Sequence, residues 1–453
     1  MNKKLIVMAF ACTTLGTVAN AQVAYTNDFD TDTTADWTFF SNRTGDTAAQ
    51  ADLGSAADFF FDYSTAGIPS APNSTGGSTR GMRLQTAITG TPNTPGFQNG
   101  MSVTPNNFSS TEDFVMVFDA WLNTNGPFPV GGSGSTMLTL AGVGVNSNLS
   151  APVPGMRGVA FGTTVEGGSS IDYRAYNGSS STVAPSTGAY AAGTVAASYN
   201  NTDPYYTSRF PGATVPAAQT LIQALQNGAV ANGTVGFTWQ QWEIRKTGTR
   251  VTWKLGGHLI ATVTAGLFQT PGDKVFFGQS DINTSLSADA HSLDFQFGLI
   301  DNLVISLLPK ISGQIELQNT ADDGLPGTEA ITWTLSNGTD EFTGTVNVDD
   351  FGGGAYSFTV PSAAPNGAYT LKFKGGTFLS STLNLTLSGN SITSQNVSLR
   401  NGDIDQDTEV GPGDFETVVA QFGGPGTGDV DNDGEVGPSD FEIVIANFGL
   451  GDE

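Results

Sequence analysis

Between Asn401 and Glu453 the chain writes one phrase twice, GDIDQDTEVGPGDFETVVAQFG from Gly402 and GDVDNDGEVGPSDFEIVIANFG from Gly428, an offset of 26 residues from Asp403 to Asp429. Each copy sets aspartates at positions one, three, five and twelve of a loop: Asp403, Asp405, Asp407 and Asp414, then Asp429, Asp431, Asp433 and Asp440. A hard cation such as Ca2+ takes roughly six to eight oxygens at about 2.3–2.6 Å, and a twelve-residue loop supplies them from alternate side chains and from the backbone carbonyl at position seven. Glu409 and Glu435 hold position seven. Behind each loop an apolar face recurs at helical spacing, Phe415, Val418, Val419 and Phe422, then Phe441, Val444, Ile445 and Phe448. Each predicted helix stops at a glycine, Gly423 or Gly449, as a left-handed cap requires. An acidic disordered tail is the competing reading, but charge runs without a fold do not repeat an apolar helical face in register.

Fourteen of the chain's 42 acidic residues lie in these 53 residues, which contain neither Lys nor Arg. Carboxylates about 4 Å apart repel by about 4 kcal/mol at an effective dielectric near 20. The repeats are therefore expected to fold only with metal bound.

Two such loops, each leading into a helix and each with Asp at position twelve, resemble the dockerin module of secreted polysaccharide-degrading systems. The resemblance implies a pair of EF-hand-like sites and a cohesin-like or other cell-surface protein as partner. Two departures stand out. Thr408 holds position six of the first loop, where the tight turn favours glycine as at Gly434, so the first site is expected to be the weaker. Positions ten and eleven, which carry partner-recognition residues in cohesin-binding dockerins, are here Pro412-Gly413 and Pro438-Ser439.

The chain opens with Met1-Asn2-Lys3-Lys4, an apolar run from Leu5 to Ala11 and the small-residue site Ala19-Asn20-Ala21. This pattern predicts a secretory signal peptide over residues 1–21 and an exported bacterial protein, secreted or held at the cell surface. The single cysteine, Cys12, lies inside it, leaving no disulfide for the mature chain. No later stretch is apolar for about eighteen residues, so no spanning helix is expected. A net charge of −25 argues against nucleic acid and anionic membrane, and is compatible with neutral glycans and Ca2+.

Residues 22–308 alternate short β-rich runs with Gly, Ser, Asn and Pro turns, as a large jelly-roll β-sandwich would. Phe114–Leu122 is nearly continuous in apolar residues, so it is expected between two layers. Arg250–Leu255 turns on Gly256-Gly257 and returns as His258–Val263, a two-residue hairpin. Strands are also expected at 158–165, 171–176, 239–246, 274–278 and 294–306, with one short helix from Ala217 to Gln226. The opening Tyr25–Asp30 with Trp37, the hairpin with Trp242 and Trp253, and the closing Phe297–Ile305 resemble concanavalin-A-like and laminin-G-like sandwiches. That resemblance implies a structural Ca2+ at Asp28, Asp30 and Asp301; the alternative is that these aspartates cap strands or turns.

The loop Asn200–Phe210 sets Tyr205, Tyr206 and Arg209 among Asn and Asp, the mixture of ring faces and hydrogen-bonding groups that a glycan requires. The alternative is that the tyrosines pack this loop onto the sandwich. Glycosidase chemistry needs two carboxylates about 5–9.5 Å apart, and the sequence offers no tight acidic cluster, only Glu112-Asp113, Glu166 and Glu243 at scattered positions. With two histidines, His258 and His291, a His-dependent triad or zinc site lacks parts.

Leu308-Pro309-Lys310 marks a joint. Residues 309–400 carry a smaller strand rhythm, read as an immunoglobulin- or prealbumin-like sandwich, and SGQIELQ, GAYSFTVP and GAYTLKFKG resemble the carboxypeptidase-regulatory-like spacers of exported proteins. The fold class is mostly β, with residues 401–453 as its one α-helical module. Three functions fit: a non-catalytic glycan-binding or adhesion protein docked through its calcium repeats, a glycoside hydrolase of polysaccharide catabolism, or a structural surface protein.

Overall fold

The structure, a computed structural model, describes residues 22–41, 55–86, 100–134, 136–145, 158–178, 181–264, 272–282, 289–318, 328–349 and 352–452. The expected signal segment and Cys12 lie outside the described residues. The chain divides into two compact units, one spanning Val23–Leu307 and the other containing Leu308–Glu453.

The first unit is built from β1 (Gln22–Asn27), β2 (Trp37–Ser41), β3 (Ala56–Asp62), β4 (Arg80–Gln85), β5 (Gly100–Pro105), β6 (Phe114–Asn123) and β7 (Met137–Val145). It continues through β8 (Val159–Thr164), β9 (Tyr173–Asn177), β10 (Gln240–Thr247), β11 (Arg250–Leu255), β12 (His258–Thr264), β13 (Lys274–Asp281) and β14 (Phe297–Leu307). One sheet runs β12-β11-β10-β6-β14-β4-β3 with β1 added beside β14, and the other runs β2-β5-β13-β7-β8-β9. Two antiparallel sheets with one core between them make a β-sandwich, as the strand rhythm implies. The central strands β6 and β7 are almost entirely buried. Trp242 stacks on Phe118 at 5.5 Å and lies 4.9 Å from Trp253, so the hairpin tryptophans are core residues. The hairpin turns at Gly256 and Gly257, at φ +53° and +82°, a pair of left-handed positions that favours glycine.

Three short helices interrupt this pattern: α1 (Pro204–Thr207), α2 (Ala217–Ile222) and α3 (Ser292–Phe295). The helix expected to reach Gln226 stops at Ile222. The Gln226 side chain instead donates to Thr124 O at 2.7 Å and Gln219 Oε1 at 3.0 Å, in a buried amide network with Asn123. Residues 294 and 295, expected at the start of a strand, close a helical turn in which Asp294 lies 2.9 Å from His291 Nδ1.

In the second unit β15 (Lys310–Leu317), β16 (Thr328–Ser336), β17 (Glu341–Asp349), β18 (Gly354–Thr359), β19 (Gly367–Lys374), β20 (Ser381–Leu387) and β21 (Val397–Leu399) form sheets β18-β15-β21 and β17-β16-β19-β20. Ile311, Leu335, Leu371, Phe373 and Leu399 are among the buried side chains of their shared core. Two longer helices follow, α4 (Pro412–Gln421) and α5 (Pro438–Asn447).

Candidate metal centre

Both repeats curl by the same local rule. Asp405 Oδ1 accepts the Asp407 N–H at 3.2 Å and Asp407 Oδ1 accepts that of Glu409 at 3.0 Å, while Asp431 and Asp433 repeat the ladder toward Asp433 and Glu435. These short side-chain-to-backbone bonds hold each loop bent where no regular ladder is available. The position-twelve aspartates close the loops end to end. Asp414 accepts N–H groups of Ile404, Asp405 and Gly411 at 2.5, 3.1 and 2.7 Å, and Asp440 accepts those of Val430, Asp431 and Gly437 at 2.6, 3.1 and 2.7 Å. Proline at the first helical position and this aspartate at the third start α4 and α5 immediately behind the loops.

The result gathers carboxylates. One ligand atom from each of Asp403, Asp405 and Asp414 lies within 4.8 Å of the others, and the same holds for Asp429, Asp431 and Asp433. Asp407 and Asp440 fall outside these trios, and the Glu409 and Glu435 side chains are exposed. Burial, with the nearby Asp440 carboxylate adding to it, pushes the Asp429 and Asp431 carboxyls up from the ordinary range. Asp403 is fully buried, and its Oδ1 has no hydrogen-bond partner. An all-oxygen donor set with a buried, unpaired carboxylate oxygen fits a hard divalent cation of the Ca2+ type.

Positions ten and eleven serve the loops themselves. Gly413 lies so close to Asp405 that an added Cβ would stand 2.3 Å from its Oδ2, and the Ser439 hydroxyl favours the ionised form of Asp431.

The repeats are also tied to the small sandwich of their own unit. Val410, Val418, Val436 and Val444 form a core with Leu379, and Phe415 meets Phe441 at 4.9 Å. Gly402 and Asp403 donate their N–H groups to Thr377 O at 2.9 and 2.8 Å. Lys374 Nζ donates to Asp403 Oδ2 at 2.5 Å, and Lys372 Nζ to Asp452 Oδ2 at 2.8 Å. Neither lysine stands out in the sequence, because a lysine ending an amphipathic strand reads as ordinary surface. Val419, Phe422, Ile445 and Phe448, expected on the same helical face as the core residues, are about half exposed, and Val419 and Phe422 border a shallow groove with Pro438, Phe441 and Glu442.

In the first unit the expected residues are placed differently. Asp28 Oδ1 accepts the Asp30 N–H at 3.1 Å, and Asp30 accepts the Ser78 hydroxyl. Asp301 accepts from Tyr63 Oη at 3.0 Å, Ser74 Oγ at 2.9 Å and the Asn302 N–H at 2.7 Å. These three aspartates are not among the converging acidic groups of the described residues. Asp301 is instead opposite Asp119 on the neighbouring strand, and both are buried under Asn73, Ser74 and Asn302. Burial, with Asp119 adding to it, pushes the Asp301 carboxyl up to about 7. Tyr206 is fully buried, stacked on Tyr173 at 3.9 Å. Tyr205 donates to Leu259 O at 2.6 Å, and the Arg209 guanidinium covers its ring at 3.7 Å. In this arrangement the tyrosines pack their loop onto the sandwich.

No protein-family model matches this chain, and no curated protein matches it significantly. Similar solved structures include a type II cohesin–X–dockerin complex from Acetivibrio cellulolyticus, at 17% identity over 32% of this chain and 97% of that one, with a TM-score of 0.25. A protein of unknown function with a galectin-like fold from Bacillus subtilis matches at 8% identity over 64% and 97%, with a TM-score of 0.31. The VIP36 exoplasmic/lumenal domain, solved in its Ca2+/Man2-bound form, matches at 9% identity over 64% and 88%, with a TM-score of 0.29. Among the described residues no helix is long and apolar enough to cross a membrane.

Proposed function

We propose that this is an exported, non-catalytic binding protein whose C-terminal repeats hold two Ca2+ ions and serve as a docking module, while the large sandwich engages a polysaccharide or cell-surface glycan. The observation that carries the calcium reading is the pair of converging carboxylate trios, with the buried Asp403 Oδ1 left unpaired. The docking reading rests on the exposed Val419, Phe422, Ile445 and Phe448, which leave an apolar surface for a cohesin-like or other cell-surface protein. The glycan reading rests on the two-sheet sandwich together with the sequence resemblance, and a net charge of −25 directs it to neutral sugars. Calorimetric titration of Ca2+ into the metal-stripped chain tests the central claim. Two sites are expected, with one lost in Asp431→Ala; a chain that takes up no Ca2+ refutes it. A glycan array probed with the same chain tests the sugar half, and uniform silence across neutral polysaccharides removes it.

One observation favours a glycosidase as a second reading. Asp119 and Asp301 sit opposite each other on adjacent strands with one carboxyl pushed up to about 7, as a general acid would be, although both are only 1% exposed. Reducing-sugar release by the parent chain and not by Asp301→Asn would establish it.

A further inference from the structure

The two loops carry equal numbers of acids, five each, yet they are not electrically equivalent. In the second loop the position-one carboxylate, Asp429, accepts backbone N–H groups from Asp433 at 3.1 Å and Gly434 at 3.0 Å. Among the described residues it has no cationic partner. In the first loop the same position, Asp403, is fully buried and carries a full positive charge on one of its oxygens, the Lys374 ammonium at 2.5 Å. That ammonium is itself fixed, donating to Phe378 O at 2.6 Å from the end of β19. Thr377 O, accepting from Gly402 and Asp403, holds the backbone of the loop beside it.

We propose that Lys374 is a tethered counter-ion for the first loop. It neutralises the position-one carboxylate when no metal is present, holds that loop against the small sandwich, and opposes Ca2+ there, so that the second loop fills first. The inference rests on the calcium reading above. A divalent ion on the free Asp403 oxygen brings like charges within a few ångströms of each other across one carboxylate. The lysine, 28% exposed, then either stays and is repelled or swings into water and gives up its bonds. Both routes lower the first loop's affinity relative to a loop without the lysine. The lysine also limits the electrostatic penalty of emptying the site, because Asp403 keeps a partner in the metal-free state.

The experiment is calcium calorimetry on the full chain carrying Asp431→Ala, so that only the first loop titrates, with and without Lys374→Gln, together with thermal melting of each chain in EDTA. Glutamine removes the charge and keeps an amide N–H donor, on a side chain one bond shorter. Lys374→Gln is expected to raise first-loop affinity about tenfold and to lower the metal-free melting temperature of the unit containing Leu308–Glu453. Lys374→Arg, which keeps the charge, is expected to behave as the parent, and Lys372→Gln, the same charge change at Asp452, to leave affinity within about twofold. Unchanged or weaker first-loop binding in Lys374→Gln overturns the inference and makes the lysine a strut. If the parent binds no Ca2+ in either loop, the calcium reading fails, and the melt in EDTA still decides the counter-ion role: equal melting of parent and Lys374→Gln overturns it.

Discussion

Thr408 shows how one residue separates two copies of a motif. It holds a left-handed backbone at φ +81° where the second loop has Gly434 at +98°. A β-branched side chain in that region costs about 1–2 kcal/mol, which glycine avoids. Thr408→Gly is therefore expected to stabilise the calcium-saturated second unit by about 1 kcal/mol in urea unfolding. Gly434→Ala, whose new Cβ meets nothing within 4 Å, should cost a similar amount through backbone strain alone. Asp301 supports a prediction in pH. Its folded carboxyl, pushed up to about 7, binds a proton more tightly than the unfolded chain does near 3.8, so ionisation opposes folding. The first unit's stability is complete below about pH 4 and falls as pH rises to about 7, by about 4 kcal/mol in all. Burial also raises Asp119, which acts in the same sense. Denaturant midpoints across that window should slope downward for the parent and flatten for Asp301→Asn; a parent that gains stability over the same range contradicts the assignment.

At the scale of elements, the helices following the loops were legible because loop spacing and apolar period agreed, but which apolar residues face inward was not. Val418 and Val444 are fully buried while their neighbours Val419 and Ile445 are half exposed, because the core shared by two ten-residue helices is narrow. Val418→Ala should cost about 2 kcal/mol of calcium-loaded stability and Val419→Ser less than about 0.5, a difference measurable by thermal melting. In the large sandwich the hairpin at Gly256-Gly257 was readable from turn chemistry. Strand β7 was not, since Gly142 and Gly144 interrupt its apolar run. Gly142 is a packing requirement, for a Cβ there would stand 2.2 Å from the Phe276 ring. Strand β17 escaped notice for another reason: it is an edge strand with little buried surface, so its alternation is mostly polar. The Asp119–Asp301 pair joins positions 182 residues apart through strand register, which spacing along the chain cannot reveal.

Across the chain as a whole, acids left uncompensated within their own segment find cations in another. The repeats contain no cation, yet the fold brings Lys374 and Lys372 from a strand of the small sandwich to Asp403 and Asp452, pairs 29 and 80 residues apart. Ion pairs, backbone bonds to Thr377 and the Leu379 contact make the repeats part of one cooperative unit with that sandwich. Metal removal should therefore weaken this unit as a whole rather than release a free tail. Differential scanning calorimetry of the full chain should show two transitions. A site saturated to about a hundredfold over its Kd contributes about 2.7 kcal/mol, which for a unit of this size corresponds to roughly 5–10 °C. EDTA should move the transition of Leu308–Glu453 down by about that much for each saturated loop and leave that of Val23–Leu307 in place. A downward shift of both transitions would instead place a metal in the large sandwich, where Asp28, Asp30 and Asp301 would have to rearrange from their present hydrogen bonds to hold it.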